Sequence, residues 1–200
     1  HEESSVAIAD GYARVTGKPM AVMAHATVGL QHASMTIYNA FAAQTPVFII
    51  VGNSIDAAER RPGVEWSHSV QDQADLVREF IKWDDLPISL THFAESAVRA
   101  YKIAMTPPMG PVLLVADSDL QERAVPDLAK LHIPKLTLAS PPAGDPVAVA
   151  AAARLLVAAV YPLILGGDAA RTEEGMRLLI DLAETLQAPV QGGKMPTRHP

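Results

Sequence analysis

The chain has 200 residues, 49% of them hydrophobic, and its 16 Lys and Arg against 22 Asp and Glu give a formal net charge of −6. An acidic chain without a basic run is untypical of nucleic-acid binding, so we expect no nucleic-acid partner. Cysteine is absent, which excludes disulfides and thiolate chemistry. No apolar run reaches the roughly 18 residues of a membrane span, and we therefore expect no membrane partner and a cytoplasmic protein.

Residues 1–17, HEESSVAIADGYARVTG, have the pattern of an amphipathic helix that Gly17 ends. Its apolar residues recur at the spacing of one helical face: Val6, Ala9, Tyr12 and Ala13. Glu2 or Glu3 lies in the first turn, near the positive end of the helix dipole. On the residues alone, such a carboxylate is either a helix-start or capping residue or a functional group.

A strand–helix–strand unit follows. Residues 20–24 and 47–52 are short apolar runs of the kind that form buried parallel strands. The helix between them ends at Thr45-Pro46, and its predicted buried face is Leu30, Ser34, Ile37 and Phe41. Because ligands collect beyond the carboxyl ends of parallel strands, His25 and residues 52–54 are candidate site positions.

The rest of the chain continues the α/β pattern. A charged loop over residues 53–73 is long enough to be functional, and a strand over 111–116 follows a helix whose predicted face is Phe93, Ala97, Tyr101 and Ala104. We expect a first domain over residues 1–120, a proline-rich linker over 121–145 and an incomplete second α/β domain over 146–200. That second domain has a predicted helical face of Met176, Ile180, Ala183 and Leu186.

Several phrases carry a family resemblance: HE at the start, ADGYAR-x-TGK-P after it, PLILGGD in the second domain and PTRHP at the end. The chain resembles the thiamine-diphosphate (ThDP) enzymes of the acetolactate synthase, benzoylformate decarboxylase and pyruvate oxidase superfamily. The resemblance implies an α/β fold of parallel sheets flanked by helices. A pyrimidine-binding domain would be followed by the start of a Rossmann-like domain. Since the chain begins with His1, we expect a fragment of a longer enzyme.

The resemblance assigns Glu2 to the cofactor: it would hold the aminopyrimidine ring and support its imino tautomer. That role needs an apolar site that raises the carboxyl pKa, and the small or apolar neighbours of Glu2 permit one. Thr27, Val28 and Gly29 would also contact the cofactor. The implied cofactors are ThDP and Mg²⁺, with the metal site outside this segment; FAD is possible in relatives but not indicated here.

His25 is the second candidate. From the residues alone it is either a strand-end histidine bonded to backbone or an acid–base group. Its phrase HATVGLQH resembles the H-S-x-x-G-x-x-N of benzoylformate decarboxylase-like enzymes, whereas acetolactate synthases read TSGPG-x-x-N. The resemblance therefore implies that His25 exchanges a proton with the reacting carbonyl. His32 stands where the family has Asn, and it is a candidate substrate residue together with Gln71.

Other residues have weaker patterns. His68 and Asp72 are four residues apart, as in a helical metal site, but a third ligand does not follow. Gly166-Gly167 without G-x-G-x-x-G disfavours a nucleotide-binding oxidoreductase. Three arginines could meet an anionic substrate, although solvated surface charge is the simpler interpretation: Arg60, Arg61 and Arg78.

The favoured function is ThDP-dependent decarboxylation of a small-molecule 2-oxo acid. An acetolactate synthase-like acyl transferase is the alternative within the family. A cofactor-free α/β binding module is the non-enzyme alternative, which the retained Glu2 disfavours. The family's shared cofactor site implies a homodimer or homotetramer.

Overall fold

The computed structural model describes residues 1–125, 127–167 and 170–192. The chain forms two compact units, His1–Ala139 and Ser140–Pro200. The boundary between them lies in the segment that we interpret as a linker, residues 121–145. Each unit is a parallel α/β structure, as the sequence pattern predicts.

The first unit contains five α-helices and four strands among its described residues. In chain order they are α1 (Glu2–Thr16), β1 (Ala21–Ala24), α2 (Ala26–Ala42), β2 (Phe48–Asn53), α3 (Val64–His68), β3 (Trp83–Asp85), α4 (Leu90–Met105), β4 (Val112–Asp117) and α5 (Ser118–Glu122). Short 3₁₀ turns lie at Ala74–Leu76, Arg78–Phe80 and Leu128–Lys130.

The four strands form one sheet in the order β1-β2-β4-β3, and every pair is parallel. Ala21 pairs with Phe48, and Phe48 pairs in turn with Val112. All carboxyl ends therefore meet at one edge of the sheet. The strand β3 was not predicted, because its three residues, Trp-Asp-Asp, are too short and too polar to show a strand pattern.

Helices cover both faces of this sheet. Alternate residues of β2 and β4, such as Ile49 and Leu113, join a core with α1 and α2. Their neighbours Phe48 and Leu114 join a second core with Ala100 and other residues of α4. Fully burying a Leu, Ile, Val or Phe side chain stabilises a fold by about 1.5–3 kcal/mol, so these two cores hold the strand ends in place.

The predicted helical faces are partly correct. In α4, Ala104 is buried and the three other predicted residues pack on the same core, which confirms that face. In α1, however, Tyr12 is 40% exposed, and in α2 Phe41 is 37% exposed. Ala33 and Ala40 lie in the buried stripe of α2 instead. These small side chains let α2 pack close to its neighbours. The close packing leaves no room for the ring of Phe41, which lies outside the buried stripe.

The sequence predicts the end of α1 correctly but places the end of α2 too late. Gly17 adopts the left-handed conformation (φ 72°) and its N–H donates to the Ala13 carbonyl, which confirms the predicted end of α1. The helix α2 ends at Ala42, before the predicted Thr45-Pro46.

The second unit pairs β5 (Ile164–Gly167) with β6 (Val190–Gly192) in parallel, with helices α6 (Pro146–Ala158) and α7 (Glu173–Leu186). In α7, Ile180 of the predicted face is 47% exposed. The PTRHP phrase and the final Asp of PLILGGD lie outside the described residues. Within the ranges that the structure describes, no helix is both long and apolar enough to span a bilayer.

Candidate functional site

The carboxyl ends of β1, β2 and β4 open into a cavity of about 540 Å³. This position follows from the parallel sheet, in which the loops after the strands converge at one edge. Its polar lining includes residues from the strand ends and from α3 and α5: His25, Ser54, Glu65, His68, Ser118 and Glu122. Apolar walls include Phe93 and Leu120, so the cavity can hold a partly apolar small molecule.

His25 stands at the mouth of this cavity as the N-cap residue of α2. Its Nε2 lies 3.0 Å from Nδ1 of His68, and the two rings meet edge to face with centroids 5.1 Å apart. One proton between these nitrogens makes the hydrogen bond, and either ring can donate it. The next residue, Ala26, has a left-handed backbone (φ 46°) that is uncommon outside glycine.

Thr27 connects the start of α2 to the long loop. Its hydroxyl donates to the backbone carbonyl of His68 and accepts a 3.1 Å hydrogen bond from Nε2 of Gln73. The Thr27 side chain therefore holds the backbone of His68 in place. The sequence offered no signal for this contact, because it joins residues 41 positions apart.

Two buried amides flank the same loop. Asn53 is 4% exposed and Gln73 is 1% exposed. Nδ2 of Asn53 donates to the Val70 carbonyl at 2.8 Å. The amide oxygens of both residues nevertheless lack a hydrogen-bond donor within the described part of the chain. A buried acceptor without a partner is unfavourable, so these oxygens can accept from a water or a bound molecule.

Glu2 lies against the first turn of α2. Its Oε2 is 3.1 Å from Nδ1 of His32, and its side chain is 27% exposed. A Cβ atom on Gly29 would come within 3.0 Å of Oε1 of Glu2 and 3.2 Å of the Ala24 carbonyl carbon. Gly29 therefore provides the space in which the carboxylate lies.

The electrostatics of Glu2 differ from the sequence-based expectation. The hydrogen bond from His32 is the main reason that the carboxyl pKa of Glu2 lies below its usual range. Backbone hydrogen bonding at Glu2 and the electrostatic effect of His32 also lower this pKa. The neighbouring small residues do not produce the raised pKa that a dry pocket would give. Oε2 of Glu2 faces His32, while Oε1 lies beside Gly29.

The remaining predicted site residues are less closely grouped. His32 contacts Glu2 and does not line the strand-end cavity. Val28 is 38% exposed, and Gln71 is exposed without a hydrogen bond among the described residues, whereas its neighbour Gln73 is buried in the site. The sequence analysis missed Gln73 because no sequence pattern distinguishes a buried loop glutamine from an exposed one.

The residues of the weaker sequence patterns form ion pairs and hydrogen bonds with other residues. Asp72 forms an ion pair with Arg78, which also binds Asp75 and Asp84, so Asp72 does not join His68 in a metal site. Across residues 1–125, 127–167 and 170–192, no group of three His, Asp or Glu side chains could hold a metal ion.

The other two arginines belong to the loop. Arg61 lines the cavity but is paired with both Glu65 and Glu122. Arg60 donates to the carbonyls of Ser54 and Ile55. Neither is an isolated cation facing the cavity.

The fold and the site define a parallel α/β domain that presents a carboxylate and paired imidazoles at its strand ends. Residues 1–77 match the family described as thiamine pyrophosphate enzyme, N-terminal TPP binding domain. The sulfoacetaldehyde acetyltransferase of Alcaligenes xylosoxydans xylosoxydans is 28% identical over 205 residues, covering 100% of this chain and 32% of that protein. The benzoylformate decarboxylase of Pseudomonas aeruginosa is 26% identical over 206 residues, covering 100% of this chain and 38% of that protein.

A solved structure agrees with these relatives. The crystal structure of benzoylformate decarboxylase from Polynucleobacter necessarius superimposes with a TM-score of 0.80 at 29% identity, covering 96% of this chain and 35% of that one. In sequence over residues 1–77 and in fold, the chain is thus similar to thiamine-diphosphate-dependent enzymes. It spans about a third of the length of the curated relatives it matches.

The residues at Glu2 fit the cofactor of this family. A partly exposed carboxylate, given its space by Gly29, suits a ligand with a protonatable ring nitrogen such as an aminopyrimidine. The residues that the structure describes offer no comparable set for Mg²⁺.

Proposed function

We propose that the protein containing this chain is a ThDP- and Mg²⁺-dependent enzyme that decarboxylates a 2-oxo acid. The observation that carries the proposal is the turn from Ala24 to Gly29. Glu2 lies against this turn, and His25 projects from it at the cavity. A cofactor-holding carboxylate and an acid–base group would thus be fixed by the same few residues. We further propose a cytoplasmic homodimer or homotetramer.

The cofactor, when bound, supplies the electron sink that the cleaved carbon–carbon bond requires. The chain's residues bind, orient and exchange protons around it. Oε1 of Glu2 would hold a proton at the pyrimidine ring nitrogen, while His32 keeps Oε2 in position. Thr27, Val28 and Gly29 would line the cofactor at the start of α2. His25 would exchange a proton with the reacting carbonyl group of the substrate, as an imidazole can near neutral pH.

A related acyl transferase is the second candidate. It is supported by the similarity to sulfoacetaldehyde acetyltransferase, at 28% identity. The identity to benzoylformate decarboxylase is similar, at 26%. Both candidates use the same cofactor contacts and differ in the final acceptor. A decarboxylase passes a proton to the reacting carbon and releases an aldehyde, whereas a transferase joins the acyl group to a second substrate.

The test is product analysis of the full-length protein with ThDP, Mg²⁺ and a panel of 2-oxo acids. We expect an aldehyde, and we expect His25→Ala to lower turnover by about 10²–10⁴-fold, the usual contribution of one acid–base group. KM should change much less, because the lost interaction acts in the transition state. His132→Gln, at an exposed position, is the matched control.

Two results would contradict the proposal in different ways. Acetolactate or another acyl-transfer product without aldehyde, together with an unaffected His25→Ala variant, would favour the transferase. Thiochrome fluorescence of the denatured protein reports bound thiamine. Its absence after incubation with ThDP and Mg²⁺ would favour a binding module without cofactor.

A further inference from the structure

We propose that His68 and His25 form a two-imidazole proton relay that connects solvent to the substrate in the strand-end cavity. This inference rests on the proposed acid–base role of His25 and adds His68 as a positioning residue that acts through it. The observation is the 3.0 Å contact between Nε2 of His25 and Nδ1 of His68, with both rings lining the cavity.

The free nitrogens have the arrangement that a relay requires. Within the described residues, neither Nδ1 of His25 nor Nε2 of His68 has a hydrogen-bond partner. The pair therefore has one shared contact in the middle and one open nitrogen at each end. His25 is exposed and His68 is half-buried, so the imidazole pair borders solvent at the cavity.

The proton transfer balances without any further group. At the start each ring carries its proton on Nδ1, and Nδ1–H of His68 donates to Nε2 of His25. Nε2 of His68 takes a proton from a water molecule, whose hydroxide stays in the solvent. Nδ1 of His68 passes its proton to Nε2 of His25, and Nδ1 of His25 passes its proton to the substrate. One proton has moved from solvent to substrate, and both rings remain neutral.

The same contact is satisfied before and after the transfer. Afterwards Nε2–H of His25 donates to Nδ1 of His68, so only the direction of the hydrogen bond has reversed. A proton taken back from the substrate in a later step returns along the same path. A glutamine or asparagine at position 68 could keep a hydrogen bond to His25, but its amide cannot exchange a proton in this way.

The backbone supports this arrangement independently of the His68 side chain. Thr27 binds the carbonyl oxygen of His68, so replacing the imidazole leaves that anchor intact. The charged groups that line the same cavity are Arg61, Glu65 and Glu122, and both carboxylates pair with the Arg61 guanidinium rather than with the imidazoles.

The test uses the full-length enzyme with ThDP and Mg²⁺ and compares His68→Gln, His68→Ala and the control His132→Gln. We expect His68→Gln to lower kcat by at least about 10-fold, with KM changed by less than about threefold, and to shift the pH profile of kcat. Added imidazole should restore part of the activity of His68→Ala. Circular dichroism of each variant reports whether its fold is retained.

A second measurement does not depend on activity. Nitrogen-15 NMR of the histidine rings reports which nitrogen of His25 carries the proton, and His68→Gln should change that tautomer or its titration. An unchanged His25 signal would overturn the relay. Normal kcat and pH dependence in His68→Gln, with His25→Ala inactive, would also overturn it and leave the proposed function standing. If His25→Ala were fully active as well, the acid–base role of His25 would fail together with the relay.

Discussion

The carboxylate of Glu2 and the backbone of Gly29 are so close that no side chain can be accommodated at position 29 without movement. A Cβ atom there would lie 3.0 Å from Oε1 and 3.1 Å from Cγ of Glu2. On its other side it would lie 3.2 Å from the Ala24 carbonyl carbon, which belongs to a sheet strand. Since the strand cannot easily move, the carboxylate would be displaced.

We therefore expect Gly29→Ala in the full-length protein to weaken ThDP binding by about tenfold or more, which corresponds to about 1.4 kcal/mol. The free energy of unfolding should also fall, by the usual overpacking cost of about 1–3 kcal/mol less the roughly 1 kcal/mol that alanine gains over glycine in α2. Gly11→Ala is the matched control, because a Cβ on Gly11 meets nothing within 4 Å. It should raise the free energy of unfolding by up to about 1 kcal/mol. Calorimetric titration and chemical denaturation measure the two effects; equal behaviour of both variants would contradict the prediction.

Glu2→Gln should lower turnover of the full-length enzyme by at least about 100-fold, because an amide cannot exchange the proton that the cofactor ring requires. The fold should be retained, since the side chain is at the surface of α1 and partly exposed. Glu3→Gln changes the neighbouring exposed carboxylate and should leave turnover within about twofold. Near-normal turnover of Glu2→Gln would mean that Glu2 serves only as a helix-start residue.

His32→Ala should raise the carboxyl pKa of Glu2 toward its usual range, because the hydrogen bond from His32 is the main cause of the lowered value. A carboxyl group with a lowered pKa contributes to stability above its unfolded-state pKa, and this contribution is lost as the pH falls through the folded-state pKa. The stability difference between wild type and variant should therefore be present at neutral pH and disappear in acid.

Carboxyl carbon-13 NMR of Glu2, together with denaturation at a series of pH values, checks this prediction. His132→Ala is the control and should leave the pKa of Glu2 unchanged. A Glu2 pKa that is the same in wild type and in His32→Ala would show that the contact between Glu2 and His32 does not form in solution.

The strand–helix–strand unit was predictable because each of its elements is marked locally. Gly17 ends α1, and the apolar runs that form β1 and β2 flank an amphipathic helix. The placement of His25 beyond the end of β1 follows from the parallel order of those strands. The strand β3 was missed because it is held by pairing with β4 and has no pattern of its own.

The contacts within the site were not predictable from the sequence. Glu2 and His32 are 30 residues apart, and His25 and His68 are 43 residues apart. Both contacts depend on how α1 packs on α2 and on how the long loop returns to the sheet. The sequence shows only that Asp72 is four residues from His68, whereas the structure joins Asp72 to Arg78. Tertiary packing, which periodicity does not encode, decides these pairs.

The left-handed backbone of Ala26 has a consequence for engineering. A residue with a Cβ in this conformation costs on the order of 1 kcal/mol relative to glycine, yet the sequence keeps alanine directly after His25. Replacing it with glycine would relieve this cost in the folded state but would also loosen the turn that aims the imidazole. Ala26 is thus a position where greater thermostability and a well-oriented proton donor are opposing goals for a designer.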